Sequence, residues 1–236
     1  MSLTQDIANM VQAANNLTAE VTGKMSEIDQ KTAENTAKVD SELAKIQTKL
    51  PRLIMTRNQE LDFDAGFPKN FAINAKVTVE LYMQISGNNV KSPEAVALLQ
   101  EVMADTGFNL KPTAHYRRGF NVIKISWADT PDWLCYPHAA DDPAAKSIPS
   151  NTFYTLGAFT KLLSGGLLSG SWATGSELGK WKFCNHKASP AGFGAYNYLH
   201  PIPNTPTGEM LVFLPAAITG HIDNGGEWFP NIKIGN

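Results

Sequence analysis

The first fifty residues carry a narrow apolar stripe along one side of a predicted helix. Apolar or small residues recur in alternating steps of four and three, the heptad spacing of helices that pack against one another. The step from Val21 to Met25 is again four, and such a slip locally unwinds a supercoil without ending it. The positions expected to form a coiled-coil seam are Leu3, Ile7, Met10, Ala14, Leu17, Val21, Met25, Ile28, Val39, Leu43, Ile46 and Leu50.

Charged residues of the same segment also favour a helix. Three Glu–Lys pairs with a spacing of four would each stabilise it by about 0.2–0.5 kcal/mol; they are Glu20–Lys24, Glu27–Lys31 and Glu34–Lys38. A helix that ends at Pro51 would run for roughly 70 Å, longer than a domain on which it could lie. We therefore expect it to associate with copies of itself rather than to pack as an amphipathic helix on its own domain. A trimer is the expected assembly, although the heptad spacing alone does not choose the number of chains.

The segment from 56 to 128 has the pattern of a small α/β domain. Polar and apolar residues alternate in three stretches, which predict strands at 60–64, 75–85 and 121–127. A short helix is expected between the last two strands, because Ser92 and Pro93 suit its first turn and Gly107 suits its end.

The segment from 129 to 236 is rich in glycine, proline and serine and alternates short apolar stretches with turn signals. Strands are predicted at 151–156, 179–185, 194–199, 209–214 and 228–234. Short strands with dense turn chemistry are typical of a β-sandwich or of an irregular β-domain. The predicted architecture is thus α+β in three parts: a trimeric coiled-coil stalk over 1–55, a small α/β domain over 56–128, and a β-rich, sandwich-like distal domain over 129–236.

Aromatic residues in the distal loops are the candidate ligand contacts. The first fifty residues contain none, whereas all five tryptophans lie in the second half of the chain. We expect most of the five to belong to the core. Trp133 and Trp172 lie in predicted loops and, with His138, are the candidates for stacking on a sugar ring or hydrogen-bonding its hydroxyls.

Composition narrows the classes of function. A net charge of −2 gives no reason to expect nucleic acid as a partner. No apolar run approaches the roughly 18 residues of a membrane span, and no signal peptide is expected. Cys135 and Cys184 are expected to be free thiols, with a single bridge between them as the alternative. Neither nucleophile motifs nor paired histidines occur, so we expect no cofactor, no metal and no enzymatic activity.

The layout resembles that of bacteriophage tail or collar fibres. The resemblance rests on the Asn-, Thr-, Ala- and Lys-rich opening helix of Met1–Leu50, the small β-rich middle and the glycine- and aromatic-rich distal part. It implies a homotrimer on the virion, assembled in the host cytoplasm, with other tail, collar or baseplate proteins as partners. It also implies that the distal part is available to recognise a host cell-surface glycan or protein.

Two alternatives remain within the same class. One is a purely structural collar or baseplate fibre that contacts no receptor. The other is a polysaccharide-degrading tailspike, which is disfavoured because the chain is short and lacks the regular repeats of a β-helix.

Overall fold

The computed structural model describes residues 3–49, 52–139, 147–198, 200–229 and 232–233. The chain divides into two compact units, Met1–Lys49 and Leu50–Asn236. The first is the helix α1 (Leu3–Lys49). The elements of the second are β1 (Leu53–Ile54), β2 (Phe63–Asp64), β3 (Phe67–Pro68), β4 (Phe71–Ile73), β5 (Val77–Ile85), α2 (Pro93–Thr106), β6 (Phe120–Trp127), β7 (Cys135–Pro137), β8 (Ile148–Pro149), β9 (Tyr154–Ser164), β10 (Trp181–Ala188), β11 (Tyr196–Asn197), β12 (Gly208–Thr219), a 3-10 turn (Gly225–Glu227) and β13 (Ile232–Lys233).

The predicted long helix is confirmed as α1, a single helix of 47 residues. Of the three predicted ion pairs, Glu27–Lys31 forms at 2.9 Å, and Lys24 joins the same carboxylate at 3.0 Å. Glu34 instead accepts a hydrogen bond from the Gln30 amide at 3.0 Å. Ion pairs and hydrogen bonds between side chains three or four residues apart therefore stabilise α1, as is common for helices in water.

The second unit is built on one central antiparallel sheet. Its strands follow the order β5–β6–β12–β9–β10, and β1 and β13 extend it beside the far end of β12. Strand β12 is the central strand of the sheet. Strand β9 pairs along one of its edges, and β6 and β1 share the other edge.

This sheet corrects the predicted domain boundaries. Strand β6, from the predicted α/β domain, pairs with β12 from the predicted distal domain, with Trp127 opposite Gly208. A boundary near residue 128 would cut this sheet, so 56–128 and 129–236 form one structural unit. The predicted stalk over 1–55 also ends too late, because β1 belongs to the second unit.

The two faces of the sheet bury separate apolar clusters. Along β12, Met210 and Val212 point into one cluster and Leu211 and Phe213 into the other, as the alternation of strand side chains requires. Helix α2 covers the face of Leu211 and Phe213. The opposite face is covered by loops and by the β4–β7 pair. Because no second large sheet packs there in the described part of the chain, the predicted sandwich-like arrangement is not observed.

Helix α2 has the predicted ends. The Ser92 hydroxyl accepts a hydrogen bond from the Ala95 amide at 3.2 Å, and Gly107 adopts the left-handed φ of 74° that ends a helix. Its buried face consists of Ala95, Leu98, Leu99 and Val102. The expectation that most tryptophans are core residues is also confirmed, because four of the five are buried.

Candidate functional site

The apolar stripe of α1 is the first candidate site. Every helix residue whose side chain is described is exposed. The large seam side chains remain from 49% (Val21) to 77% (Leu3) accessible. Ala14 is also exposed, and Leu50 lies outside the described residues. The seam is therefore an uncovered apolar surface in the single chain.

Covering this stripe would release a free energy of the same order as the cost of association. Fully burying a side chain such as Leu or Ile is worth about 1.5–3 kcal/mol, and these positions are roughly half exposed. Covering ten of them would recover on the order of 10 kcal/mol per chain, comparable with the cost of about 4–15 kcal/mol for bringing molecules together. A single covered patch would recover much less than this cost, so association requires most of the stripe to be covered.

Thr36 is a polar residue close to the seam, between Ile28 and Val39, and it has a partner inside the helix. The Thr36 hydroxyl donates to the Thr32 carbonyl at 2.9 Å. The same back-bonding occurs at Thr18 and Thr22, whose hydroxyls donate to the carbonyls of Ala14 and Thr18. Because the hydroxyl proton is already bonded, burying Thr36 at an interface carries a smaller desolvation cost than burying a free hydroxyl.

A cluster of aromatic side chains on the second unit is the other candidate site. We call it the aromatic ladder. Its members are Trp133, Tyr136, His138, Tyr196, Tyr198 and His200.

Tyr136 lies at the centre of the ladder. Its ring centroid is 5.5 Å from Trp133 and 5.7 Å from Tyr198. The two histidine rings are 6.0 Å (His200) and 6.1 Å (His138) from it. Tyr196 extends the row beyond Tyr198, at 5.4 Å. Tilted and edge-to-face contacts at these distances are the favourable geometries for aromatic pairs.

Backbone pairing holds the two halves of the ladder together. Strand β7, which carries Tyr136, pairs with β4, and the Leu134 amide donates to the Pro201 carbonyl at 2.9 Å. Strand β11, which carries Tyr196, pairs with β8. The alternation of β-strand side chains brings Tyr136 and His138 to one side, and the same spacing recurs in Tyr196, Tyr198 and His200.

The outer end of the ladder is open to solvent. Tyr196 is 61% and Tyr198 41% accessible, whereas Tyr136 and His138 are buried at the inner end. Phe193 is fully exposed just before β11, between Gly192 and Gly194, which both adopt positive φ angles. Such a turn favours glycine on both sides and displays the ring between them.

Burial keeps two of the ladder side chains uncharged. Burial lowers the pKa of His200, so its ring is uncharged near neutral pH. Burial, and then the neighbouring Tyr198, raise the pKa of Tyr136, so its hydroxyl stays protonated. Together with the ring faces of the ladder, these two neutral hydrogen-bonding groups suit a neutral polyhydroxylated ligand better than an ion.

The three predicted ligand residues have different outcomes. Trp133 is a half-buried member of the ladder, and His138 is a buried one. Trp172 is wrong as a surface residue, because it is fully buried in the core. The Thr174 hydroxyl accepts hydrogen bonds from the Gly170 and Ser171 amides, forming a compact turn beside this inward-pointing indole.

Sequence reasoning missed the tyrosines of the ladder. The signal was present as the i, i+2, i+4 spacing of Tyr196, Tyr198 and His200. It could not be linked to Trp133 and Tyr136, because the segments are about sixty residues apart and meet only in the fold.

Metal sites, disulfide bonds and membrane-spanning helices are the remaining features to consider in the described parts of the chain. No three His, Cys, Asp or Glu side chains there come together as a metal site would require. Both cysteines are free. Among the described helices, none combines the length and apolar composition needed to cross a bilayer.

Comparison of the chain with protein-family models, with curated proteins and with solved structures gave no match.

Proposed function

We propose that this protein is a non-enzymatic, trimeric virion fibre whose second unit contacts a host cell-surface glycan or protein. The observation that carries the proposal is the exposed heptad seam of α1, since a helix of this length with an uncovered apolar stripe has its natural partner in copies of itself. Assembly would take place in the host cytoplasm, with tail, collar or baseplate proteins as neighbours.

The aromatic ladder is the proposed receptor contact. Its neutral ring faces can pack on the C–H face of a sugar while its hydroxyls and imidazoles bond to sugar hydroxyls. A shallow surface of this kind gives weak binding at one site. Three copies on one assembly would raise the effective affinity for a cell surface by orders of magnitude without any new contact.

The test is binding of the full-length protein to a panel of bacterial cells and to an array of bacterial surface glycans. Tyr198→Ala removes an exposed ladder ring and is expected to weaken binding at least tenfold, because one stacked ring contributes on the order of 1 kcal/mol per site and three sites act together. Tyr82→Ala is the matched control: Tyr82 is 51% accessible but lies on β5, outside the ladder, so it should bind as wild type.

Two outcomes would redirect the proposal. Binding to no cell and no glycan would leave the purely structural collar or baseplate role. Release of reducing ends from host polysaccharide would contradict the non-enzymatic assignment and favour a tailspike.

A further inference from the structure

We propose that the second unit also binds a small organic anion with a flat apolar body, in a cavity separate from the aromatic ladder. The cavity lies among the loop from 108 to 117, helix α2 and the 3-10 turn, and its volume is about 430 Å³. Sites for small molecules commonly range from about 300 to 1,000 Å³. The inference does not rest on the fibre assignment.

The inner wall of this cavity is aromatic. Phe213 stacks between two other phenylalanines, at 4.7 Å from Phe159 and 5.3 Å from Phe120. Tyr116 continues the stack at 6.0 Å from Phe120, and Trp228 and Phe229 complete the aromatic lining. The cavity is open on one side, and the four stacked rings give it an aromatic wall on which a ligand ring can pack.

Hydrogen bonds fix the walls in place before any ligand arrives. The Trp228 indole donates to the Leu214 carbonyl at 2.7 Å, and the Trp228 carbonyl accepts from the Gln59 amide at 2.9 Å. Leu214 has a φ of 52°, a conformation rare for leucine, at the bulge that interrupts β12. The cavity wall thus includes a distorted strand position whose carbonyl anchors the indole.

The Tyr116 side of the cavity is equally fixed. The Tyr116 hydroxyl donates to the Leu110 carbonyl at 2.5 Å, and the Lys91 ammonium lies 4.0 Å from the centre of the ring. Lys91 also donates to the Ala114 carbonyl at 2.8 Å, tying the loop to the start of α2. Burial raises the pKa of Tyr116 to about 12, so its hydroxyl remains a donor over the physiological pH range. A preformed site loses little conformational entropy when it binds.

The charge at the mouth selects the ligand class. Lys111, His115 and Arg117 line the cavity, and among the described residues that line it there is no aspartate or glutamate. Lys111 and His115 are exposed, and Lys111 forms no ion pair in the described part of the chain. These three side chains form a basic rim, which is a local feature because the whole chain carries a net charge of −2. A carboxylate, sulfonate or phosphate at the mouth, with its apolar body against the phenylalanines, would use both parts of the site.

The experiment titrates the full-length protein with two probes, 2-naphthoate and 2-naphthylmethanol, by isothermal calorimetry. They share one body and differ in the charge. We expect 2-naphthoate to bind at one site per chain and the neutral probe at least tenfold more weakly. Lys111→Glu should weaken 2-naphthoate at least tenfold and leave the neutral probe unchanged. Lys180→Glu, another exposed lysine outside the cavity, should change neither.

A second variant tests the location. Ala114→Trp places a large side chain in the cavity and should abolish binding of both probes, whereas Tyr198→Ala in the ladder should bind them as wild type. The proposal is overturned if wild-type protein binds neither probe up to their solubility limits, or if Lys111→Glu and Lys180→Glu affect 2-naphthoate equally. Either result would leave the mass and cell-binding tests of the proposed fibre untouched.

Discussion

Cys135 and Cys184 are both buried in the second unit, with no bridge between them. Burial raises the pKa of both thiols, although Thr160 lies 2.9 Å from the Cys184 sulfur and partly opposes this effect. The thiolate is the reactive form, so both thiols should be inert in the folded protein. With Ellman's reagent at pH 8, we expect no rapid reaction in buffer and two reacting thiols per chain in guanidinium chloride. A thiol that reacts at once in the native protein would contradict this arrangement.

Substituting a glycine by alanine tests each unit by itself, at Gly208 in the second unit and at Gly23 in the first. Gly208 faces Trp127 across β12 and β6, and a Cβ there would lie 2.0 Å from the indole. Gly208→Ala should therefore lower the free energy of unfolding of the second unit by about 1–3 kcal/mol. Gly23 lies in α1 with nothing within 4 Å of its missing Cβ, so Gly23→Ala should stabilise the helix by up to about 1 kcal/mol.

The two effects are measured separately. All five tryptophans lie in the second unit, so their fluorescence during denaturation reports that unit alone. Circular dichroism at 222 nm is dominated by α1. An unchanged fluorescence midpoint in Gly208→Ala would mean that the indole does not pack as described.

At the scale of single elements, the sequence pattern predicted those helices and strands that depend mainly on contacts between neighbouring residues. The heptad spacing predicted α1, and Ser92, Pro93 and Gly107 predicted the ends of α2, because helix periodicity and capping involve neighbours in sequence. Strand β5 was predicted over 75–85 and observed at Val77–Ile85, because polar and apolar residues alternate along its sequence. The burial does not follow this alternation throughout, since Leu81 is exposed where the β5–β6 register shifts.

Longer strands were only partly predictable. The stretch predicted at 209–214 is part of β12, which runs on to Thr219 through Pro215. Proline normally ends a central strand, but here it lies in a bulge where the β9–β12 register shifts. The aromatic ladder was missed for a related reason. Its two halves meet only in the fold, where the Leu134 amide donates to the Pro201 carbonyl, and no local pattern joins them.

The seam of α1 is tested by one charge. Ile28→Asp would place a carboxylate in the middle of the apolar stripe, repeated once for each chain of an assembly. Burying such a group without a partner is costly enough to break the association. The expected result is a lower assembly mass and an earlier loss of helix on heating.

Ala33→Asp is the matched control for the seam variant. It introduces the same charge at an exposed position of α1 that is not among the seam residues. We expect its assembly mass to equal that of the wild type. If both variants dissociate alike, general repulsion or loss of helix would explain the result, and the seam would not.

At the scale of the whole molecule, the proposed function assigns assembly to the first unit and binding to the second. The Ile28→Asp protein should therefore keep the intrinsic affinity of one ladder for a soluble glycan fragment. Its binding to a glycan-coated surface should be at least tenfold weaker than that of the wild type, because the second and third contacts of one assembly are lost. Surface plasmon resonance measures the two quantities, first with the protein immobilised and the glycan fragment in solution, then with the glycan immobilised and the protein in solution. Equal binding of wild type and Ile28→Asp to the glycan-coated surface would contradict a role for the helix in avidity.

The most direct test of the account is the mass of the full-length protein in solution, measured by light scattering over a series of concentrations. Self-association of α1 through its exposed seam predicts the mass of three 25.7 kDa chains for the wild type, falling in Ile28→Asp but not in Ala33→Asp. A mass of two chains would contradict the trimer alone. A constant mass of one 25.7 kDa chain would contradict the central claim.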